Sequence, residues 1–195
     1  MGRHSALAIA CVVAALAAGC ASSPSRFYTL SANAPPGTAQ SKLAIAIGPV
    51  TVPAAVDQPQ IVVNTSANQV SFDEFNRWAS PLQDNLARVV AENLVAILGT
   101  PRVTMYPLTL SSDIDYRVQI EVRSFESTLG KQAALDAVWS VRRMKTGKTD
   151  TGRTSVRESV ADASYDALAA AHSRAALRMS QDIAAMIEVL ERAAP

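Results

Sequence analysis

Histidine and cysteine, the side chains on which many enzymes and metal sites depend, are almost missing from this chain. It carries two histidines and two cysteines in 195 residues, and His4 and Cys11 fall in an apolar amino-terminal segment with the marks of a processing signal. That leaves His172 and Cys20. One cysteine cannot form an internal disulfide, and a zinc site built from His and Cys lacks ligands, so no metal and no cofactor is expected. A Ser-His-Asp or Cys-His catalytic set would have to use His172, and the Gly-x-Ser-x-Gly elbow, the Walker loop and the Gly-x-Gly-x-x-Gly turn are absent. The expectation is a protein that is not an enzyme.

Charge is scarce as well. Charged residues make up 18% and aromatics 5%, against 49% hydrophobic residues, which is enough apolar material for a core and too little charge for a disordered or coiled-coil chain. Of 18 basic residues Arg3 lies in the leading segment, so 17 of each sign remain beyond it. A nucleic-acid binder normally shows a basic excess on one face, and none exists here.

What is present begins at the amino terminus. Arg3 and His4 precede an apolar run over residues 6–18, and the run closes with Leu16-Ala17-Ala18-Gly19-Cys20. A helix of that length extends about 20 Å, short of the ~30 Å hydrocarbon layer, so the segment reads as a secretory signal and not as a permanent span. Small residues before Cys20 resemble the bacterial lipobox, after which the cysteine carries lipid. The alternative is ordinary cleavage at an Ala-x-Ala-like site with Cys20 left as a free thiol. Residues 21–25 then supply a small polar tether reaching at most ~17 Å. Ala21 stands where inner-membrane lipoproteins of enteric-type bacteria usually carry Asp, a resemblance that favours the outer membrane, periplasmic face.

Beyond the tether the patterning is that of one domain. Strands are expected over residues 26–30, 43–52, 102–106, 116–123, 133–141 and 153–160, and a hairpin joins residues 61–63 to 70–72. Residues 31–41, with Pro35-Pro36-Gly37, read as a linker. Ser80-Pro81-Leu82-Gln83 predicts a helix with Ser80 as N-cap and Gln83 completing a capping box, stopped by Gly99 and Pro101. A second long helix is expected over residues 164–192. The fold class is α/β of the α+β kind, a single compact domain whose mixed, mostly antiparallel sheet carries two long helices. The division is residues 1–19 signal, 20–26 lipidated cysteine and tether, and 27–195 the domain.

Two segments, Ile47-Gly48-Pro49-Val50-Thr51-Val52-Pro53 with Asp57-Gln58-Pro59-Gln60-Ile61-Val62, and Phe75-Asn76-Arg77-Trp78-Ala79-Ser80-Pro81-Leu82, resemble the ABC-type transport auxiliary lipoproteins of the PqiC/YmbA (DUF330) group. So do the lipobox and the Phe27-Tyr28-Thr29-Leu30 strand. The family tends to carry an aromatic near Ala55 and a basic residue near Gln58, both missing here. The resemblance implies a compact α/β fold and a non-catalytic envelope subunit. Its implied partners are an MCE-domain periplasmic protein and inner-membrane components that move lipid between membranes, with a homo-oligomer possible by analogy.

Candidate sites follow from residue type. Cys20 is the lipidation site. Pro53 and Asp57 bracket a stiff loop that can present backbone to a partner, and Arg77-Trp78 pairs two residue types enriched in binding hot spots, although such a Trp is more often the closure of a core. Arg142, Arg143, Lys145, Lys148 and Arg153 against Asp150 alone form the one strong charge cluster, at an expected hairpin tip. It suits anionic headgroups or an acidic partner, or is a solvated tip. His172 reads as a surface or boundary residue. Two further functions stay open: a structural or assembly lipoprotein of an outer-membrane complex, and a lipid-anchored hydrolase acting through His172.

Overall fold

The computed structural model describes residues 24–37, 40–106 and 113–193. Among these residues the strands are β1 Arg26–Tyr28, β2 Ile45–Thr51, β3 Gln60–Ser66, β4 Gln69–Trp78, β5 Val103–Met105, β6 Tyr116–Thr128, β7 Gln132–Arg143 and β8 Thr149–Ser159. The helices are α1 Leu82–Leu98 and α2 Tyr165–Arg192. This is the expected α+β class, with one difference. The strands divide into a five-stranded sheet in the order β5-β2-β6-β7-β8 and a three-stranded sheet in the order β1-β4-β3.

The large sheet is parallel from β5 through β2 to β6 and antiparallel from β6 through β7 to β8. Tyr116, Val118, Ile120 and Val122 alternate as buried residues with more exposed Arg117, Gln119, Glu121 and Arg123, so one face is apolar and the other wet. Both helices lie on the apolar face, α1 over β2 and β5, α2 over β7 and β8. Their stripes of Leu86, Val90 and Leu94, and of Leu168, Ala175, Met179 and Ile183, are buried in one continuous core.

Trp139 on β7 lies opposite Gly152 on β8, and its ring covers the place where a side chain at 152 would project. The indole Nε1–H donates to Thr154 Oγ1 at 3.1 Å, and that hydroxyl donates to Asp182 Oδ2 of α2 at 2.7 Å. A strand glycine here is a requirement of packing.

The helix starts differ from each other. Ser164 caps α2 by accepting from the Ala167 N–H, whereas α1 begins at Leu82 with Pro81 in the cap position and no side-chain cap. The expected Ser80 capping box does not form. The Ala79 N–H is tied to the Tyr28 carbonyl at 2.8 Å, which holds the chain extended past Ser80. Gly99 ends α1 in the left-handed region at φ 61°, as its sequence position predicts.

Residues 31–37 form no free linker. They cross the two helices, and the buried Asn93 side chain of α1 accepts from the backbone N–H of Asn33 and of Ala34, each at 3.1 Å, while donating to Ser180 of α2 at 3.3 Å. Ser173 of α2 accepts from the Ser31 N–H at 3.0 Å. Replacing Asn93 by Ala orphans two backbone donors, while the Ser180 hydroxyl keeps its bond to the Ala176 carbonyl, and is expected to cost about 2 kcal/mol by urea unfolding, with faster proteolysis within residues 31–37.

Candidate functional site

The two segments that carry the family resemblance meet in space. The Pro53 carbonyl accepts from the Val56 and Asp57 N–H groups at 3.0 and 3.1 Å, closing a turn, and the Gln58 side-chain amide braces it by donating to the Ala55 carbonyl at 2.9 Å. The Pro59 carbonyl then accepts from the Trp78 N–H at 2.7 Å. Between the turn and the entry to α1 lies an apolar-lined groove of about 330 Å³, walled by Asp57, Gln58, Pro59 and residues 78–81.

Trp78 forms the floor. It is buried, with its ring edge-on to Phe125 of β6 at 6.2 Å between centroids. Arg77 precedes it on the strand and therefore points to the opposite face, where it pairs in register with Phe27 and with Gln60. The structure brings Asp57 and Trp78 together, leaves Pro53 at the base of the turn outside the groove wall, and separates Arg77 from its sequence neighbour. Ala79, Ser80 and Pro81 are lining residues that sequence reasoning read only as a helix start.

Behind the floor, Phe125 stacks on His172 at 3.8 Å with 9° between the rings. His172 is fully buried, which corrects its reading as a surface or boundary residue. It sits on the inner stripe of α2 because Ser127 of β6 offers it a partner, with Oγ 2.8 Å from Nε2. Burial pushes its pKa down to about 3, so the imidazole is neutral. Among the described residues Nδ1 has no partner, and a proton on Nε2 leaves a lone pair there instead of an orphaned N–H. A Ser–His distance of this size is what nucleophile activation uses, but here both groups are closed off from solvent and no carboxylate orients Nδ1. Among the described residues no three His, Cys, Asp or Glu side chains cluster as metal ligands.

The basic residues separate into two groups. Arg142, Arg143, Lys145 and Lys148 surround the β7–β8 turn, where Arg143 lies 3.6 Å from Glu191 and Lys148 lies 3.6 Å from Asp150. Arg153 stands further along β8, opposite Val138, and its guanidinium grips Asp136 with two bonds of 2.8 and 2.7 Å, holding that carboxyl below the usual range. Arg142 and Lys145 have no ion-pair partner among the described residues. Cys20, the rest of the signal and the first part of the tether lie outside the described residues.

A family profile places this architecture. The chain belongs to the ABC-type transport auxiliary lipoprotein component family, which matches residues 28–184. Its fold is shared with a crystal structure of an uncharacterized protein at 21% identity and TM-score 0.68, covering 85% of this chain and 99% of that one. Protein XCC0632 from Xanthomonas campestris, of the DUF330 family, matches at 18% identity and TM-score 0.66 over 86% of this chain and 97% of its own. No curated protein matches. Among the described residues no helix is long and apolar enough to cross a membrane.

Proposed function

We propose that this lipoprotein is anchored through acyl chains on Cys20 to the periplasmic face of the outer membrane, where it serves as the auxiliary subunit of an intermembrane lipid transport system and docks an MCE-domain partner. The observation that carries the reading is the groove of residues 57–59 and 78–81, in which the two segments that carry the family resemblance form one wall and one floor. An apolar lining with Asp57 at the rim suits a partner segment that inserts a side chain and offers a donor to the carboxylate. The acyl chains supply stable attachment, since each buried CH₂ contributes roughly 0.8 kcal/mol.

The test is purification of the full-length protein from detergent-solubilised membranes, with intact mass of its amino terminus and identification of what accompanies it. An acylated Cys20 and an MCE-domain partner are expected. Cys20→Ser is expected to move the protein to the soluble periplasmic fraction. Ala79→Arg, at the exposed rim, is expected to abolish co-purification of the partner while leaving the melting temperature unchanged. Trp78→Ala is the poorer probe, because it empties part of the core. A partner lost in neither variant, or a barrel-assembly partner alone, would favour a structural lipoprotein instead.

A further inference from the structure

The three-stranded sheet has one face in the core and an outer face on which Val62 is buried but four other apolar side chains are exposed among the described residues. Trp78 and Tyr28 point inward, with Ile61 and Val63 of β3. On the other face the register places Phe27 opposite Arg77, Phe72 opposite Val62 and Val70 opposite Asn64. A bulge at Asp73, whose carboxylate accepts from the Phe75 and Asn76 N–H groups at 2.8 and 3.0 Å, inserts an odd number of residues into β4. Phe75 is thereby turned to the same side as Phe72. Phe27, Val70, Phe72 and Phe75 are 64%, 45%, 50% and 42% exposed, four of the most exposed large apolar side chains among the described residues. Scattered apolar residues need no explanation, but three phenylalanines and a valine on one face of a small sheet mark a contact surface.

From this face we infer that the outer surface of the β1-β4-β3 sheet rests on the bilayer into which the Cys20 acyl chains insert, its phenylalanines seated at the headgroup and acyl boundary. The inference rests on the lipoprotein reading above. Its support is where the chain outside the described residues ends: Phe27 lies seven residues after Cys20 and so at most ~24 Å from it, with Pro24 stiffening the connection. An anchor that close brings β1, the strand it feeds, to the membrane before any other element. Of the nearby charges only Arg77 shares this face with Phe27 by register, Arg26 falling on the Tyr28 side and Asp73 accepting from Tyr165 of α2, so no basic cluster marks the face and apolar insertion would hold it. The sheet is joined to the β6–β7 turn through the Asn64 side chain, which accepts from the Ser127 N–H at 3.3 Å, and the basic turn at residues 144–148 lies a full β7 strand away, about 40 Å. That turn therefore lies at the end of β7 opposite the one joined to the small sheet.

The mature chain has no cysteine besides Cys20, so a single added thiol labels uniquely once Cys20 is acylated. Full-length Phe72→Cys and Phe75→Cys carrying an environment-sensitive fluorophore, with Lys145→Cys as the distal control, would be reconstituted into phosphatidylethanolamine and phosphatidylglycerol vesicles with and without brominated acyl chains. Intact mass would be checked first. Expected are blue-shifted emission and loss of most of it to bromolipid at 72 and 75, no change at 145, and little dependence on salt. Water-like emission at 72 and 75 in acylated protein would overturn the inference while leaving the anchored reading in place. Blue-shifted emission that bromolipid does not quench would also overturn it, assigning the face to a protein partner or second copy. An unacylated amino terminus would remove the tether and overturn both.

Discussion

Acidification from pH 6.5 to 4.5 is expected to cost the folded protein about 2 kcal/mol through His172 alone. In the unfolded chain this imidazole takes up a proton near pH 6.5, whereas burial holds the folded one down to about 3. Between those values the unfolded state binds one proton more than the native state, so stability rises with pH and falls in acid at ~1.4 kcal/mol per unit. The loss begins below pH 6.5 and runs toward pH 3. His172 is the one histidine beyond the leading segment, which keeps this window clean. Asp73, Asp136 and Asp162 also have lowered pKa values, but their contributions are lost only below the normal carboxylate range, near pH 4 and under. Urea midpoints measured at half-unit steps would show the slope. In His172→Phe the slope between pH 6.5 and 4.5 should vanish, while neutral-pH stability drops because the Ser127 hydroxyl loses its partner. A slope that survives this substitution would place the titrating group elsewhere.

Gly152→Val is expected to destabilise the domain by about 3 kcal/mol or more, lowering its melting temperature by about 10 °C. Any Cβ at 152 runs into the Trp139 ring, and a branched side chain meets it with two further carbons. The ring cannot step aside cheaply: it is buried under α2 and held by its bond to Thr154, which is in turn held to Asp182. Displacing it exposes a large apolar surface and breaks that chain of hydrogen bonds together. Trp139→Leu in the Gly152→Ala background should recover part of the loss, since the smaller side chain leaves room for the new methyl. Equal melting curves for Gly152→Ala and the parent would show that the ring relaxes freely.

How far the sequence carried this reading depends on the range of the interactions involved. The two-residue alternation of β6 and β7, the 3.6-residue stripes of both helices and the Gly99 stop are local patterns, and each marks its element within a few residues. The partition into two sheets was not legible, because the parallel pairing of β1 with β4 joins residues about fifty apart and leaves no periodic trace. His172 was misread for a related reason, and the sequence carried no sign of the other buried polar residues. Asn85, Asn93, Ser173 and His172 occupy inner positions of the helices, where composition says polar, yet each meets a partner supplied by a distant segment. Of the candidate groove, Asp57 and Trp78 were named from residue type, but their convergence follows from the bond between Pro59 and Trp78. The exposed face on β4 left a faint trace, apolar residues at 70, 72 and 75 among polar neighbours, masked by the bulge that breaks the alternation.

The first strand of the domain is closed by its last helix. Tyr165, at the start of α2, packs against Tyr28 with ring centroids 5.9 Å apart and donates to Asp73, and Ser173 holds Ser31. If Cys20 carries the proposed anchor, only residues 21–25 would separate it from the fold while these contacts and Asn93 are in place. Were they released, the free segment would run to Ser41 and reach about 70 Å. On the anchored reading proposed above, the height of the domain over its membrane would be set by tertiary contacts, from β4 and Asn93 as well as from α2. A substitution in α2 that loosens β1 would alter that working distance even if the large sheet stayed folded.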